Sequence, residues 1–166
     1  LDLKANFDFS AYKNFGDRTF LGDAIEGGEI KIKGIEPTLR KIREYIQAGK
    51  KMGVEKFIAV GTAVFRSASN SSEVIELIKQ MTGIKIEVLS KEDEAKNSII
   101  AAILSSNDYL NPGEIAILID QGGGSTELSF ASYHGENDIT FESLQSFELG
   151  TVELKNRIFS YDVTFE

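Results

Sequence analysis

Residues Ile115 to Glu127 constrain this chain more than any other stretch. An apolar run, Ile115-Ala116-Ile117-Leu118-Ile119, ends on Asp120, and Gln121 leads into Gly122-Gly123-Gly124 and then Ser125-Thr126-Glu127. A short apolar run bounded by turn residues is a buried strand, so Asp120 is expected at a strand tip. Three consecutive glycines let the backbone turn tightly with its amides unblocked, which suits an anion nest. Ser125 and Thr126 add hydroxyl donors. Asp120 and Glu127 flank a loop built for negative charge, an arrangement that repels unless a cation or a positioned water lies between them. A plain glycine hairpin with two exposed acids fits Gly-Gly-Gly equally well. A carboxylate at the strand tip and Ser-Thr-Glu after the turn favour phosphate binding.

The rest of the chain places this segment in an α/β sheet. Phe7 and Phe9 alternate with polar residues as a strand would, Asp17 to Leu21 fits another short strand, and Gly22 to Gly28 fits a loop. Pro37 suits a first helical position, and Leu39, Ile42, Ile46 and Met52 form a stripe at helical spacing. Val54 to Val60, between Gly53 and Gly61, is expected as a buried strand. Asn70 with Glu73 predicts a capped helix whose buried face holds Val74, Ile75, Leu77, Ile78 and Met81. Ile84, Ile86 and Val88 alternate as a strand. Ser90 with Asp93 predicts a second cap, opening a helix through Ile99, Ile100, Ile103 and Leu104. Residues 105–113 form a loop with Asn111-Pro112-Gly113 as its turn, followed by a strand from Glu114 to Asp120. A hairpin of Thr126 to Tyr133 and Ile139 to Phe147 turns at residues 134–137, and a last helix runs from near Gly150 towards Tyr161. Alternating strands and helices of this kind make an α/β sheet, with the lobe boundary expected at Pro112.

Composition narrows the function classes. With 166 residues, 42% hydrophobic and 27% charged, the chain can bury a core without staples. It has no Cys, hence no disulfide, thiolate metal site or cysteine nucleophile. No apolar run approaches the roughly 20 residues of a membrane span. The expected address is the cytoplasm, with neither membrane nor DNA as partner. A formal net charge of −8 argues against general nucleic-acid binding, which depends on neutralisation by Lys and Arg. Lys31, Lys33, Arg40, Lys41, Arg43, Lys50, Lys51 and Lys56 nonetheless concentrate in one stretch, as a polyanion-attracting surface or as a solvated helix face.

Residues 120–128, Asp-Gln-Gly-Gly-Gly-Ser-Thr-Glu-Leu, resemble the second phosphate loop of the exopolyphosphatase and guanosine pentaphosphate phosphohydrolase (Ppx/GppA) family, within the actin, Hsp70 and sugar kinase superfamily. The usual form there is Asp-Ile-Gly-Gly-Gly-Ser-Thr-Glu, from which only Gln121 departs. Gly61-Thr62-Ala63-Val64-Phe65-Arg66-Ser67-Ala68-Ser69-Asn70 is similar to the family's Ala-Thr-x-Ala-x-Arg-x-Ala-x-Asn loop. Ser90-Lys91-Glu92-Asp93-Glu94-Ala95 is similar to its Ser-Gly-x-Glu-Glu-Ala loop, with Lys91 in place of glycine and Asp93 in place of one Glu. Leu149-Gly150-Thr151-Val152 is similar to its Leu-Gly-x-Val. The collinear likeness runs from about Arg18 to the end of the chain.

The resemblance implies a ribonuclease H-like (actin-like ATPase) fold, with most of the first lobe in residues 1–111 and the start of the second in 112–166. It implies that Glu94 is the general base for the attacking water and that Arg66 clamps the scissile phosphate. Without the motif, Glu94 reads as a helix-start acid favoured by the dipole, and Arg66 as an ordinary surface loop arginine. The resemblance further implies phosphate binding by Gly122, Gly123, Gly124, Ser125 and Thr126, and a divalent cation, Mg²⁺ or another, held by Asp120 and Glu127. The implied activity is release of terminal phosphate from polyphosphate or guanosine pentaphosphate, with a homodimer in the full-length protein. An ATP-binding phosphotransferase and a catalytically silent phosphate-binding module are the alternatives. The family opens with a first phosphate loop, Asp-x-Gly-Ser-Asn, which Asp2-Leu3-Lys4-Ala5-Asn6 matches poorly. The chain is therefore expected to be a fragment, with an apolar face exposed near Phe141, Phe147 and Ile158.

Overall fold

A computed structural model describes residues 13–106, 110–135 and 138–159. The strand expected around Phe7 and Phe9 lies outside these residues. The chain forms two compact units, one of residues 14–89 and the other running from Ser90 onward.

The first unit begins with irregular backbone through residue 20, so no strand forms over Asp17 to Leu21. A 3₁₀ turn at Gly22–Ala24 follows, then a hairpin of β1 (Ile25–Glu26) and β2 (Glu29–Ile30). Gly27 and Gly28, with φ of 61° and 80°, take the left-handed conformation that a two-residue hairpin turn requires. The expected plain loop is thus a small hairpin.

Helix α1 spans Ile32–Lys51 and contains Pro37, whereas Pro37 was expected to open it. Packing overrides the local preference here: Gly34 and Ile35, both ahead of the proline, are buried with Leu39. Met52 is about half exposed and lies off the buried stripe.

Strand β3 is confined to Ala59–Gly61, shorter than expected, and Val54, Ile58 and Val60 are exposed. Then come α2 (Ala63–Ser67), α3 (Ser71–Thr82) and β4 (Ile86–Val88), which pairs in parallel with β3. Asn70 stands at the start of α3 without capping it. Its amide instead reaches 40 residues back, accepting from the Ile30 N–H (2.9 Å) and donating to the Ile30 carbonyl (3.0 Å). One side chain thereby completes both backbone bonds of β2 at that residue. Ile30, Ile35, Leu39, Phe65, Val74, Ile78 and Ile86 make the core, and Met81 stays outside it.

The second unit opens with α4 (Lys91–Ser105). Ser90 caps it as expected: the Asp93 N–H donates to Ser90 Oγ (3.0 Å), and Ser90 Oγ donates to the Asp93 carboxylate (2.6 Å). Strands β5 (Ile115–Gln121), β6 (Thr126–Gly135) and β7 (Asp138–Phe147) form an antiparallel sheet in that order, and α5 (Thr151–Phe159) follows. His134, expected in the hairpin turn, lies on β6 with Nε2 3.0 Å from Thr140 Oγ1.

One sheet face packs on α4 through Ile99, Ile103, Ala116, Leu118, Ala131, Phe141 and Leu144. The packing unit therefore begins at Ser90, ahead of the lobe boundary expected at Pro112. Phe141 is half-buried in this core, with Lys96 Nζ 4.9 Å from its ring centre, so only Phe147 and Ile158 of the expected apolar face are exposed.

Candidate phosphate and metal site

Pairing across the sheet brings the predicted acids together. Asp120 is directly opposite Glu127, and Glu127 is directly opposite Ser146. In an antiparallel pair such neighbours have Cα atoms about 4.5–5.5 Å apart, with side chains on one face. This polar row crosses the end of the face that α4 covers. The next row inward is Leu118, Ser129 and Leu144, and the one beyond is Ala116, Ala131 and Phe141. The site is thus the polar rim of an apolar core, laid down by the period-two alternation of three strands.

Each acid has a serine. Ser98 Oγ on α4 donates to Asp120 Oδ2 at 2.7 Å, and Ser146 Oγ donates to Glu127 Oε1 at 2.9 Å. Glu127 is only 2% exposed. Neither serine had a local signature in the sequence, because a mid-helix and a mid-strand serine are ordinary until the partner strand is known.

Glu94 is half-buried in the first turn of α4. It precedes Ser98 by four residues, so the two share a helix face. The contact between Ser98 and Asp120 therefore places the Glu94 turn towards the glycine-loop end of the sheet. A second contact agrees: Lys91 Nζ, at the start of α4, pairs with Glu148 Oε1 (2.6 Å) just past the end of β7. A depression of about 500 Å³ lies between these elements, lined by Lys91, Glu92, Phe141, Ser143 and Ser146. It touches the acidic row through Ser146.

The loop itself departs from the expected nest. None of Gly122, Gly123 and Gly124 has positive φ, so left-handed backbone is not what the glycines supply. The Gly122 N–H is used within the loop, donating to the Ser125 carbonyl (2.9 Å). Thr126 Oγ1 donates to the Leu149 carbonyl (2.6 Å), and Ser125 is buried. The underside of the loop is held by the start of α5: Thr151 N–H donates to the Gly122 carbonyl and Val152 N–H to the Gly123 carbonyl, both at 2.9 Å.

Arg66 belongs to the first unit. It is half-buried at the end of α2, and its Nη1 donates to the Leu89 carbonyl (3.0 Å). In the basic stretch that begins at Lys31, just ahead of α1, Lys31 pairs with Glu29, Lys33 with Glu26, and Lys41 with Asp17 and Glu44. These local pairs fit a solvated helix face.

A magnesium ion suits the Asp120 and Glu127 pair by donor chemistry. Like charges directly opposite each other on neighbouring strands are unfavourable unless compensated. Mg²⁺ takes one or two carboxylates and completes its shell with water and phosphate oxygens. Among the described residues there is no group of three or more His, Asp or Glu placed to hold a metal. A two-carboxylate site is the kind that leaves ligand positions for substrate.

Known proteins resemble this chain in sequence and in structure. Exopolyphosphatase 1 of Mycobacterium tuberculosis is 28% identical over 106 residues, covering 61% of this chain and 29% of its own length. The guanosine-5'-triphosphate,3'-diphosphate pyrophosphatase of Aeromonas hydrophila is 28% identical over 138 residues, 76% of this chain and 26% of its own. The chain thus spans under a third of these relatives. The crystal structure of the Aquifex aeolicus Ppx/GppA family member matches 87% of this chain and 44% of its own, at 31% identity and a TM-score of 0.66. The fold is α/β, of the expected actin-like, ribonuclease H-like class. With the family model matching residues 21–166, the chain belongs to the Ppx/GppA phosphatase family.

Proposed function

We propose that the protein containing this chain hydrolyses phosphoanhydride bonds, releasing terminal phosphate from inorganic polyphosphate, guanosine pentaphosphate or both. The observation that carries this reading is the row of Asp120, Glu127 and Ser146 beside the glycine loop, with Ser98 of α4 bonded to Asp120. That arrangement supports one chemistry from four elements: a carboxylate pair for a cation, backbone amides for phosphate oxygens, and a helix turn carrying a base.

In the proposed reaction a water oxygen attacks the terminal phosphorus, and the bridging P–O bond breaks towards the departing chain. Glu94 accepts the proton the water loses. The Gly123, Gly124 and Ser125 amides are the proposed partners of the charge on the equatorial oxygens. Arg66 is the proposed clamp on the same phosphoryl group, where its planar fork matches two oxygens. Asp120 and Glu127 would hold Mg²⁺, which supplies charge neutralisation to the phosphates when bound.

The test is phosphate release by the full-length protein from polyphosphate, guanosine pentaphosphate and ATP, with and without Mg²⁺. Release from at least one of the first two, absent without the metal, is expected. Transfer of the ATP γ-phosphate to an acceptor would make the protein a phosphotransferase. Binding without release from any substrate would make it a silent phosphate-binding module.

A further inference from the structure

We propose that Gly150 and the first turn of α5 form a positioning device that aims the Gly123 and Gly124 amides away from the protein and towards the phosphoryl group. The proposal rests on reading the glycine loop as a phosphate site. In a trans peptide the carbonyl and the following N–H point to opposite sides of the bond. The Gly122 and Gly123 carbonyls accept from the Thr151 and Val152 N–H groups, so both carbonyls face α5. The N–H groups of Gly123 and Gly124, on the far ends of the same two peptides, must then face away from α5. Gly122 has no such freedom, because its own N–H is bonded to Ser125.

The two carbonyl bonds need the 150–152 backbone pressed directly on the loop. A Cβ at Gly150 would fall far inside contact distance of the Gly123 carbonyl and the Gly124 nitrogen, both backbone groups that cannot swing aside. Gly150 is buried and is not among the glycines with positive φ, so the position requires closeness and not an unusual φ. On one side the Leu154 N–H donates to the Gly150 carbonyl (2.8 Å), beginning the α5 ladder. On the other, Thr126 Oγ1 holds the Leu149 carbonyl. The first N–H groups of a helix have no partners within it, and here two of them are spent on fixing the loop. Their positive end behind the carbonyls also aligns the loop peptides head to tail with the helix, which strengthens the outward N–H groups as donors.

The experiment compares Gly150→Ala and Thr151→Pro with wild type in the full-length protein. Proline is tolerated at a first helical position, so Thr151→Pro removes both Thr151 donors to the Gly122 carbonyl, the N–H (2.9 Å) and Oγ1 (3.4 Å), without adding bulk against Gly123. Two readouts are taken: steady-state phosphate release from polyphosphate, and the amide NMR signals of Gly123 and Gly124 on titration with inorganic phosphate. Turnover should fall on the order of 100-fold in Gly150→Ala, as for a lost oxyanion donor, and about tenfold in Thr151→Pro, with KM within about threefold. The phosphate-induced shift of Gly123 should vanish in both variants, and that of Gly124 in Gly150→Ala, because Thr151→Pro leaves the Val152 bond to the Gly123 carbonyl in place. If Gly150→Ala does not fold, Thr151→Pro decides. Turnover within about threefold of wild type in Thr151→Pro, or an undiminished Gly123 shift there, overturns the proposal. If wild type releases no phosphate at all, the hydrolase reading fails, and the titration alone decides the positioning role. A Gly123 shift present in wild type and lost in the variants upholds it, and one absent in wild type or kept in the variants overturns it.

Discussion

Glu94 and Ser98 lie one helical turn apart and have different tasks, so their variants should fail differently. Glu94→Gln keeps the size and shape of the side chain but replaces one accepting carboxylate oxygen with an NH2 donor, which removes the base. Turnover on polyphosphate should drop by about two to four orders of magnitude with KM nearly unchanged. A turnover within threefold of wild type would remove Glu94 from the mechanism. Ser98 touches no substrate in the proposed reaction; its hydroxyl holds the Asp120 carboxylate at 2.7 Å. Groups that orient a metal-holding carboxylate typically change metal affinity by about 10–100-fold. Ser98→Ala should therefore raise the Mg²⁺ concentration for half-maximal activity about tenfold or more, while turnover at saturating Mg²⁺ stays close to wild type. An unchanged magnesium titration would show that Ser98 does not position Asp120 for the ion.

Elements in the first unit are tied together by contacts that local sequence patterns do not announce. The irregular segment before the 3₁₀ turn is anchored to α1 by Asp17, which accepts from the Tyr45 hydroxyl (2.9 Å) and lies 3.3 Å from Lys41 Nζ. The Tyr45 bond, and then Lys41, hold the Asp17 carboxyl below its ordinary value of 3.8. Its pKa is lower folded than unfolded, so the anchoring contribution is complete above about pH 3.8 and is lost as pH falls through the folded value. Tyr45→Phe should bring the Asp17 carboxyl back up towards 3.8 in a carbon-detected NMR titration, and an unmoved titration would show the anchor to be incidental. What was legible in the sequence follows the same division between local and distant. The Ser90 cap could be seen because its partner, Asp93, is three residues away. Asn70 looked like the same signal, yet its amide goes to Ile30, and nothing within α3 reveals a partner 40 residues back. Asp120 and Glu127 could be picked out as acids flanking a glycine loop, because both lie within one short motif. That they are direct cross-strand neighbours with Ser146 as third member depends on the register of two hairpins. Ser98 depends on which face of α4 meets the sheet. Pro37 misled because its preference for a first turn, a local effect of its ring, is outweighed by the buried Gly34 and Ile35 that precede it.

At the scale of the whole molecule, the described residues form two hydrophobic clusters that share no member. One centres on Ile78 between α1, α3 and β4, and the other on Ile99 between α4 and the β5–β7 sheet. Both isoleucines have no exposed surface, so each is as sensitive as its cluster allows. Removing one methyl group from such a position typically costs about 0.5–1.5 kcal/mol, part from lost transfer free energy and part from the void left behind. Energetic coupling between two substitutions requires a shared contact, a shared cavity or a common backbone shift, and substitutions without these add within about 0.5 kcal/mol. Ile78→Val and Ile99→Val should each lower stability in denaturant unfolding of the full-length protein, and the double variant should lose the sum of the two. Only Ile99→Val should also weaken the site, because Ile99 directly follows Ser98 on the helix that holds Asp120. Its Mg²⁺ titration should shift modestly in the direction expected for Ser98→Ala, while Ile78→Val leaves that titration in place. An interaction energy above about 1 kcal/mol between the two positions, or equal shifts of the magnesium titration by both, would mean that the clusters do not act as separate cores.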